Sequence, residues 1–334
     1  MSARENIIPV FVPHLGCPND CVFCNQRRIS GSLTSATPED VKKAIQDAAA
    51  LPRTGAKRQL AFYGGSFTAI PKREQEGLLG AAYGALCAGD IDAIRLSTRP
   101  DAIDGEVLAR LKRFGVETIE LGAQSMDDRV LNLAGRGHTA EDVEKASKMI
   151  KEGGFRLILQ MMTGLPGADD ASSVETVGKI IALHPDGVRI YPTVIVRDTA
   201  LFDLWKAGRY EEHTVEDAVR VCAKLLPMFE KAEIPVIRLG LNPTDELSGG
   251  AAVGGAYHPA LGELVKSRIM RQKAEKLLEG AAAGSSAILG VHKSKISQMI
   301  GQHRCNIDYL QEKYALKELQ IKAADANEQE IVLL

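Results

Sequence analysis

Nowhere in this chain of 334 residues is there an apolar run long enough to cross a bilayer. Nothing at the N-terminus reads as a secretory leader. The apolar stretch Ile7 to Val12 is short, is broken by Pro9 and follows Glu5. Neither sign of charge is in excess. There are 41 Lys and Arg against 43 Asp and Glu, a formal net charge of −2. A globally basic coat for nucleic acid is therefore excluded, and only a local basic patch could take that role. No internal repeat of solenoid period is visible. With 45% hydrophobic and 25% charged residues, disorder, collagen and a disulfide mini-scaffold are excluded as descriptions of the whole. The length accommodates two domains, or one large domain with an appendage. The expected compartment is the cytosol. There the six cysteines stay reduced, and close cysteine spacing points to metal.

From about residue 7 to 240 two kinds of segment alternate. Short apolar, β-rich runs lie at Ile7 to Val12, Leu60 to Tyr63, Ile94 to Ser97, Thr118 to Leu121, Leu157 to Met161 and Val188 to Tyr191. Longer runs of helical period lie at Val41 to Ala50, Ala102 to Phe114, Ala140 to Lys151 and Ser173 to Leu183. The first of these is preceded by Thr37-Pro38-Glu39-Asp40, a helix-start signal. Repeated strand-then-helix units predict an α/β fold with a parallel sheet and right-handed crossovers. Periodicity leaves open whether that sheet closes into a barrel. In either case the chemistry belongs at the carboxyl ends of the strands, where the unusual residues fall.

The first of these ends carries Cys17, Cys21 and Cys24, a C-x3-C-x2-C spacing. Three thiolates within eight residues can wrap one face of a compact metal centre. A structural zinc site wants four ligands, and Cys87, Cys222 and Cys305 are isolated. Three cysteines on a cubane iron–sulfur cluster leave one iron open for reaction. Zinc with a fourth ligand such as His14, or three unrelated buried cysteines, are the alternatives. The second strand ends in Gly64-Gly65-Ser66, whose paired glycines let a backbone approach a ligand closely. Ser97-Thr-Arg99 ends the third strand, where Arg99 could fork onto a carboxylate or be a surface Arg at a turn. Gln124 ends the fourth and is followed by Arg136-Gly-His138-Thr139, and Gln160 to Gly167 ends the fifth.

The cysteine spacing with Phe23 as its aromatic resembles the signature of the radical S-adenosylmethionine (SAM) superfamily. The other strand-end motifs resemble the branch containing the Elongator catalytic subunit and anaerobic coproporphyrinogen oxidase. The resemblance implies a partial or full parallel βα barrel. It implies a [4Fe–4S] cluster on Cys17, Cys21 and Cys24, and SAM on the open iron. One electron then cleaves SAM to methionine and a 5′-deoxyadenosyl radical, which abstracts hydrogen from the substrate. It further implies a SAM pocket from Phe23, Gly64, Gly65, Ser66, Ser97, Arg99, Gln124, Arg136 and Gln160, and an electron donor such as flavodoxin or ferredoxin. At position 160 the porphyrin enzymes carry Asp.

Val188 to Tyr210 is the most specific stretch and looks like the sixth-strand segment of the Elongator subunit. Tyr191, Arg197 and Arg209 would put an aromatic and two cations near the mouth, which suits a base and phosphates. Trp205 and Tyr210 read as core or rim. Beyond residue 240 the likeness stops, and no acetyl-CoA site is visible, so an acetyl-dependent step is not expected. Gly249-Gly250 and Gly254-Gly255 break the pattern, and a basic helical stretch runs from Leu261 to Leu278. A last module follows, with a hydrophobic helix end, a loop led by Gly301, and a second helix. It resembles a KH RNA-binding module, in which a G-x-x-G loop clamps nucleotides, although Arg304 stands in the fourth position. Lys293, Lys295 and Arg304 form a candidate phosphate face in a run, His292 to Arg304, that contains no acid. The expected division is a barrel over 1–245 and a helical segment plus small α+β KH-like module over 246–334. The expected function is a cytosolic enzyme that modifies RNA, with a tRNA base as the expected target, without membrane association. The alternatives are radical chemistry on a small molecule, as in porphyrin oxidation, and a non-catalytic iron–sulfur RNA-binding protein.

Overall fold

The computed structural model describes residues 6–12, 17, 21–25, 36–50, 52, 55–328 and 330–334. Each early strand is followed by a helix that crosses back over the sheet. In chain order these are β1 (Asn6–Phe11), α1 (Pro38–Ala49), β2 (Arg58–Tyr63), α2 (Lys72–Ala88), β3 (Ala93–Thr98), α3 (Gly105–Arg113) and β4 (Val116–Gln124). Then come α4 (Asp128–Leu133), α5 (Ala140–Glu152), β5 (Arg156–Thr163), α6 (Asp170–Ala182) and β6 (Gly187–Pro192). The predicted start signal is realised, because Thr37 caps α1 in a reciprocal box with Asp40 and Pro38 occupies the first turn. α3 begins three residues later than its periodicity suggests. The Asp104 side chain accepts from Val107 N there and fixes the helix start.

The chain continues through β7 (Val194–Val196), α7 (Ala200–Lys206), α8 (Val215–Lys231) and β8 (Val236–Leu239). Seven strands pair in the order β1-β2-β3-β4-β5-β6-β8, and every pair is parallel. β1 and β8 are the two margins and do not pair with each other. The question that periodicity left open is thus answered by a partial barrel. α2, α8 and β8 are elements that the apolar alternation did not reveal.

Strand alternation sorts the side chains into two sets. Leu60, Phe62, Ile94, Leu96, Ile119, Leu121, Leu157, Leu159, Val188 and Ile190 are buried in the main core with the helices. The alternate positions, Tyr63, Ser97, Glu120, Gly122, Gln160, Met162, Arg189 and Tyr191, line a cavity inside the curved sheet. A polar residue in mid-strand is therefore a lumen residue.

β9 (Ala252–Gly255) pairs antiparallel with β7, and the segment between β8 and β9 closes over the cavity through Leu241, Asn242, Thr244 and Leu247. α9 (Leu261–Leu278) serves two cores. Leu261 and Val265 belong to the barrel core, whereas Met270, Ala274 and Leu278 belong to a second one. That second core is completed by β10 (Ser286–Val291), α10 (Ile296–Ile300), α11 (Cys305–Lys313), β11 (Glu318–Ala323) and β12 (Ile331–Leu333). Its sheet has the order β11-β10-β12, with β11 parallel and β12 antiparallel to β10.

Candidate active site

The cavity has a volume of about 530 Å³, within the usual range for a small-molecule or cofactor site. Its wall contains Cys17, Cys21, Phe23, Cys24, Gly64, Gly65, Ser66, Ser97, Arg99, Gln124, Arg136, Gln160 and Tyr191. Residues spread over 175 positions of sequence therefore meet in one place. His14, the alternative zinc ligand, lies outside the described residues, as do 13–16 and 18–20 around the cysteines.

The cysteine segment is docked at two backbone points. Val22 N donates to Ala134 O at 3.1 Å, and Leu201 N donates to Val22 O at 2.7 Å. Val22 and Phe23 pack into two small apolar clusters, one with Val130, Ala134 and Leu165, the other with Ile195, Leu201 and Tyr210. The aromatic of the motif thus anchors the segment between α4 and α7. Cys17 Sγ lies 3.4 Å from Ser66 Oγ, and Arg136 Nη1 donates to Cys21 Sγ at 3.2 Å. Among the described residues no three His, Cys, Asp or Glu side chains converge as ligands for one metal ion. Three thiols spread along one cavity wall instead fit a larger body that each can reach, and a hydrogen bond to one sulfur suits an electron-rich thiolate.

The glycine and strand-end motifs show local reasons for their residues. Gly64 has φ +101°, a left-handed conformation that glycine adopts without strain. Below it, Thr68 Oγ1 lies 2.6 Å from Thr98 Oγ1 and donates to Ala102 O at 2.7 Å, tying the motif to the end of β3. Gly122 leaves room where a Cβ would stand 2.8 Å from Gln124 Nε2 and 3.3 Å from Arg136 Nη2. Gln124 itself has φ +65° and follows a break in the β4–β5 register. Such strain in a non-glycine residue marks a position that the surroundings hold in place.

Arg99 is not a surface arginine. It is 2% exposed, is ion-paired with Asp101 and donates to Arg136 O at 2.7 Å. Arg136 in turn donates to Gly122 O at 2.8 Å. The two arginines thus brace each other and one cysteine. His138 is buried against Ala123 O at 3.2 Å. Burial, and then the nearby Arg136 charge, push its pKa down to about 4, so the ring is neutral at pH 7 and adds no third positive charge.

A group that the motif reading missed lies at the floor. Glu120 is fully buried and receives Arg95 at 3.2 Å, Arg189 at 2.8 and 3.0 Å, Tyr63 at 2.9 Å and Gln160 at 2.9 Å. Burial, ahead of the Glu120 charge, pushes the Tyr63 hydroxyl well above its ordinary range, so it stays a donor. The available signal was the appearance of polar residues at alternate positions of otherwise apolar strands.

Other expected residues fall elsewhere. Tyr191 lines the cavity, but Arg197 is exposed beside Asp245 and Glu246, its Nε donating to Gly250 O at 3.1 Å. Arg209 is exposed and Tyr210 is buried, with its hydroxyl donating to Gly164 O at 2.6 Å. A Cβ at Gly164 would stand 2.1 Å from the His213 ring, so that glycine serves packing. Lys293 and Arg304 are exposed in the terminal module. Lys295 pairs with Glu328 at 3.2 Å and Arg304 with Asp308 at 4.0 Å.

The family model described as the Radical SAM superfamily matches residues 11–180, and the Radical_SAM C-terminal domain matches 185–271. The chain belongs to the radical SAM superfamily. Its cofactors are accordingly a [4Fe–4S] cluster and SAM, and it is an enzyme. It is 28% identical over 176 residues to the tRNA uridine(34) acetyltransferase of Methanocaldococcus jannaschii, a match covering 52% of this chain and 32% of that protein. It is 26% identical over 290 residues to the tRNA uridine(34) acetyltransferase of Dehalococcoides mccartyi, covering 73% and 62%. The chain thus spans less than two thirds of the length of these relatives. A solved structure of Elp3 from Methanocaldococcus infernus, lacking its N-terminal residues, superposes with a TM-score of 0.63 at 21% identity, over 81% of this chain and 64% of that one. The fold is therefore shared.

Proposed function

We propose that this radical SAM enzyme acts on RNA, with a base of tRNA as its substrate. Cys17, Cys21 and Cys24 hold the cluster. Phe23, Gly64, Gly65, Ser66, Ser97, Arg99, Gln124, Arg136 and Gln160 form the SAM side of the cavity. When bound and reduced by a donor such as flavodoxin or ferredoxin, this pair of cofactors supplies a 5′-deoxyadenosyl radical. The chain's own residues enclose that chemistry. Met162, Val194, Val196, Leu241 and Leu247 give an apolar wall that limits water, and Tyr191 offers a half-buried ring at the same wall. A nucleobase fits such a wall when it is splayed from a single-stranded loop.

The observation that carries the reading is the 290-residue similarity to a tRNA uridine(34) acetyltransferase, which runs over 73% of this chain. The second support is the α10–Gly301–α11 arrangement. Gly301 has φ +79°, and His303 and Arg304 are also left-handed at +51° and +65°. The exposed Lys293 and Arg304 flank this turn, as in a module that grips a nucleic-acid backbone. The proposed division is a barrel over 1–245 and this KH-like module with its leading helix over 246–334. The proposal covers the radical step alone and places the protein in the cytoplasm with its tRNA.

The test uses the full chain with its cluster reconstituted anaerobically, dithionite as reductant, and SAM. Formation of 5′-deoxyadenosine is measured with bulk tRNA, with a porphyrinogen and with neither, and the tRNA is then digested for mass spectrometry. Stimulation by tRNA and a mass shift in one nucleoside are expected. Stimulation by the porphyrinogen alone, or equal turnover under all three conditions with unaltered tRNA, would overturn the RNA reading.

A further inference from the structure

Glu120 on β4 is the one acid among the described residues that line the cavity. Donors from four strands converge on it. Oε1 accepts from Arg95 on β3 at 3.2 Å, from Arg189 on β6 at 3.0 Å and from the Tyr63 hydroxyl on β2 at 2.9 Å. Oε2 accepts from Arg189 Nε at 2.8 Å and from Gln160 Nε2 on β5 at 2.9 Å. A carboxylate surrounded only by donors gives no hydrogen back. The Gln160 amide can therefore present only its NH2 group to Glu120. The same nitrogen lies 3.5 Å from Ser97 Oγ, which takes the other side of the NH2 group. The amide oxygen is left over. It accepts no hydrogen bond among the described residues, on a side chain that lines the cavity.

An unrestrained glutamine can turn its amide over and offer either a donor or an acceptor at nearly the same place. Here one orientation is removed by the buried carboxylate. We propose that Glu120 is a positioning residue that locks the Gln160 amide so that position 160 offers the nucleoside of SAM an acceptor and never a donor. Two kinds of donor on that nucleoside can answer, the ribose hydroxyls and the adenine amine, and we assign the hydroxyls, which the probes below remove while leaving the amine in place. The network also accounts for an amide at this position. A carboxylate at 160 would face Glu120 across about the distance of one hydrogen bond, where two negative charges disfavour each other. The inference concerns the cofactor side of the cavity and does not depend on RNA being the substrate.

Calorimetry on the cluster-loaded full chain, under anaerobic conditions, provides the test. The probes are S-adenosylhomocysteine, which the cluster does not cleave, and its 2′,3′-dideoxyribose analogue. The native protein is expected to prefer the ribose form by about tenfold, the scale of one buried hydrogen bond. Gln160→Glu alone sets two carboxylates against each other and should lose most of that affinity. Adding Glu120→Gln restores one carboxylate and one amide to the network with the same total charge. The double variant should regain the ribose preference to within about threefold. A purely structural role for Glu120 predicts no such rescue of ligand discrimination. Circular dichroism checks that each variant is folded. If the double variant fails that check, Glu120→Gln alone decides the matter, because an amide at 120 no longer dictates which end of the Gln160 amide faces it, and the ribose preference should fall at least threefold. Equal binding of the two probes by the native protein, a ribose preference that survives Gln160→Met, or one left unchanged by Glu120→Gln, would overturn the inference.

Discussion

The barrel cavity and the terminal module both contain the side chains that the sequence singles out, yet the fold treats them in opposite ways. In the cavity, residues from Cys17 to Tyr191 come from different strand ends and share one wall. In the module, Lys293, Lys295 and Arg304 are neighbours in sequence, but the fold brings acids to two of them. Glu328, from the turn before β12, reaches Lys295, and Asp308, one helical turn on, reaches Arg304. Convergence from distant positions requires a fold to produce it. A run without acids requires only a short stretch of sequence, and chain folded elsewhere can neutralise it.

The largest expected effect lies in the cavity. Cys21→Ala removes a cluster ligand and also the sulfur that Arg136 contacts. The variant should retain its fold, bind far less than the native complement of iron, and form no detectable 5′-deoxyadenosine. Iron analysis and chromatography of the nucleoside measure both. Full activity in this variant would break the contrast, because the shared wall would then be packing alone.

Next comes the floor. Glu120→Ala leaves Arg95 and Arg189 buried without their carboxylate. Removing one partner of a buried pair costs about 3–5 kcal/mol, and a urea melt should show a loss of that order. The comparable change in the module, Glu328→Ala, should cost about 1 kcal/mol or less, because the Lys295–Glu328 pair is partly exposed. Equal losses at the two sites would erase the distinction between a built site and a solvated edge.

A smaller effect follows from His138. Its folded pKa is depressed to about 4 by burial and by Arg136, while the unfolded chain keeps the ordinary value near 6.5. Between those values the unfolded state binds a proton that the folded state refuses. Stability is therefore full above about pH 6.5 and falls as the pH drops toward 4, by about 1–3 kcal/mol. Thermal midpoints of the native protein and of His138→Gln, compared from pH 7 to 4.5, should show a shallower decline in the variant. Parallel curves would remove His138 as the source.

Much of this was legible beforehand, for physical reasons. Six strands were readable because their helix-facing positions carry Leu, Ile and Val, and α1 because Thr37 and Asp40 satisfy its first amides. The cysteine segment was readable because its ligands lie within eight residues, so its geometry is local. The floor network was not legible in that sense. Glu120, Arg95 and Arg189 sit on three strands, and nothing local announces that they pair. Nor was the role of Gly164, which depends on the His213 ring arriving from the loop before α8. Tyr191 and Arg197 stood only six residues apart in the sequence, but the turn into β7 sends one into the cavity and the other beside Asp245 and Glu246.

The smallest effect bears on the module. Arg304 is exposed, and its contact with Asp308, at 4.0 Å, is loose. Exposed pairs of this kind contribute little to stability, so the guanidinium can leave its partner for a phosphate at small cost. Arg304→Glu should leave the melting temperature of the chain nearly unchanged. It should weaken tRNA retention in a gel by about tenfold or less, and lower the slope of log affinity against log salt by about one. Lys295→Glu should do less than Lys293→Glu, because Glu328 already occupies Lys295. If both lysine variants weaken binding equally, the ion pair opens on binding and the module resembles the cavity more than its free structure indicates. If neither lysine nor Arg304 matters, the RNA is held by the barrel mouth, and the module contributes only the core that α9 shares with the barrel.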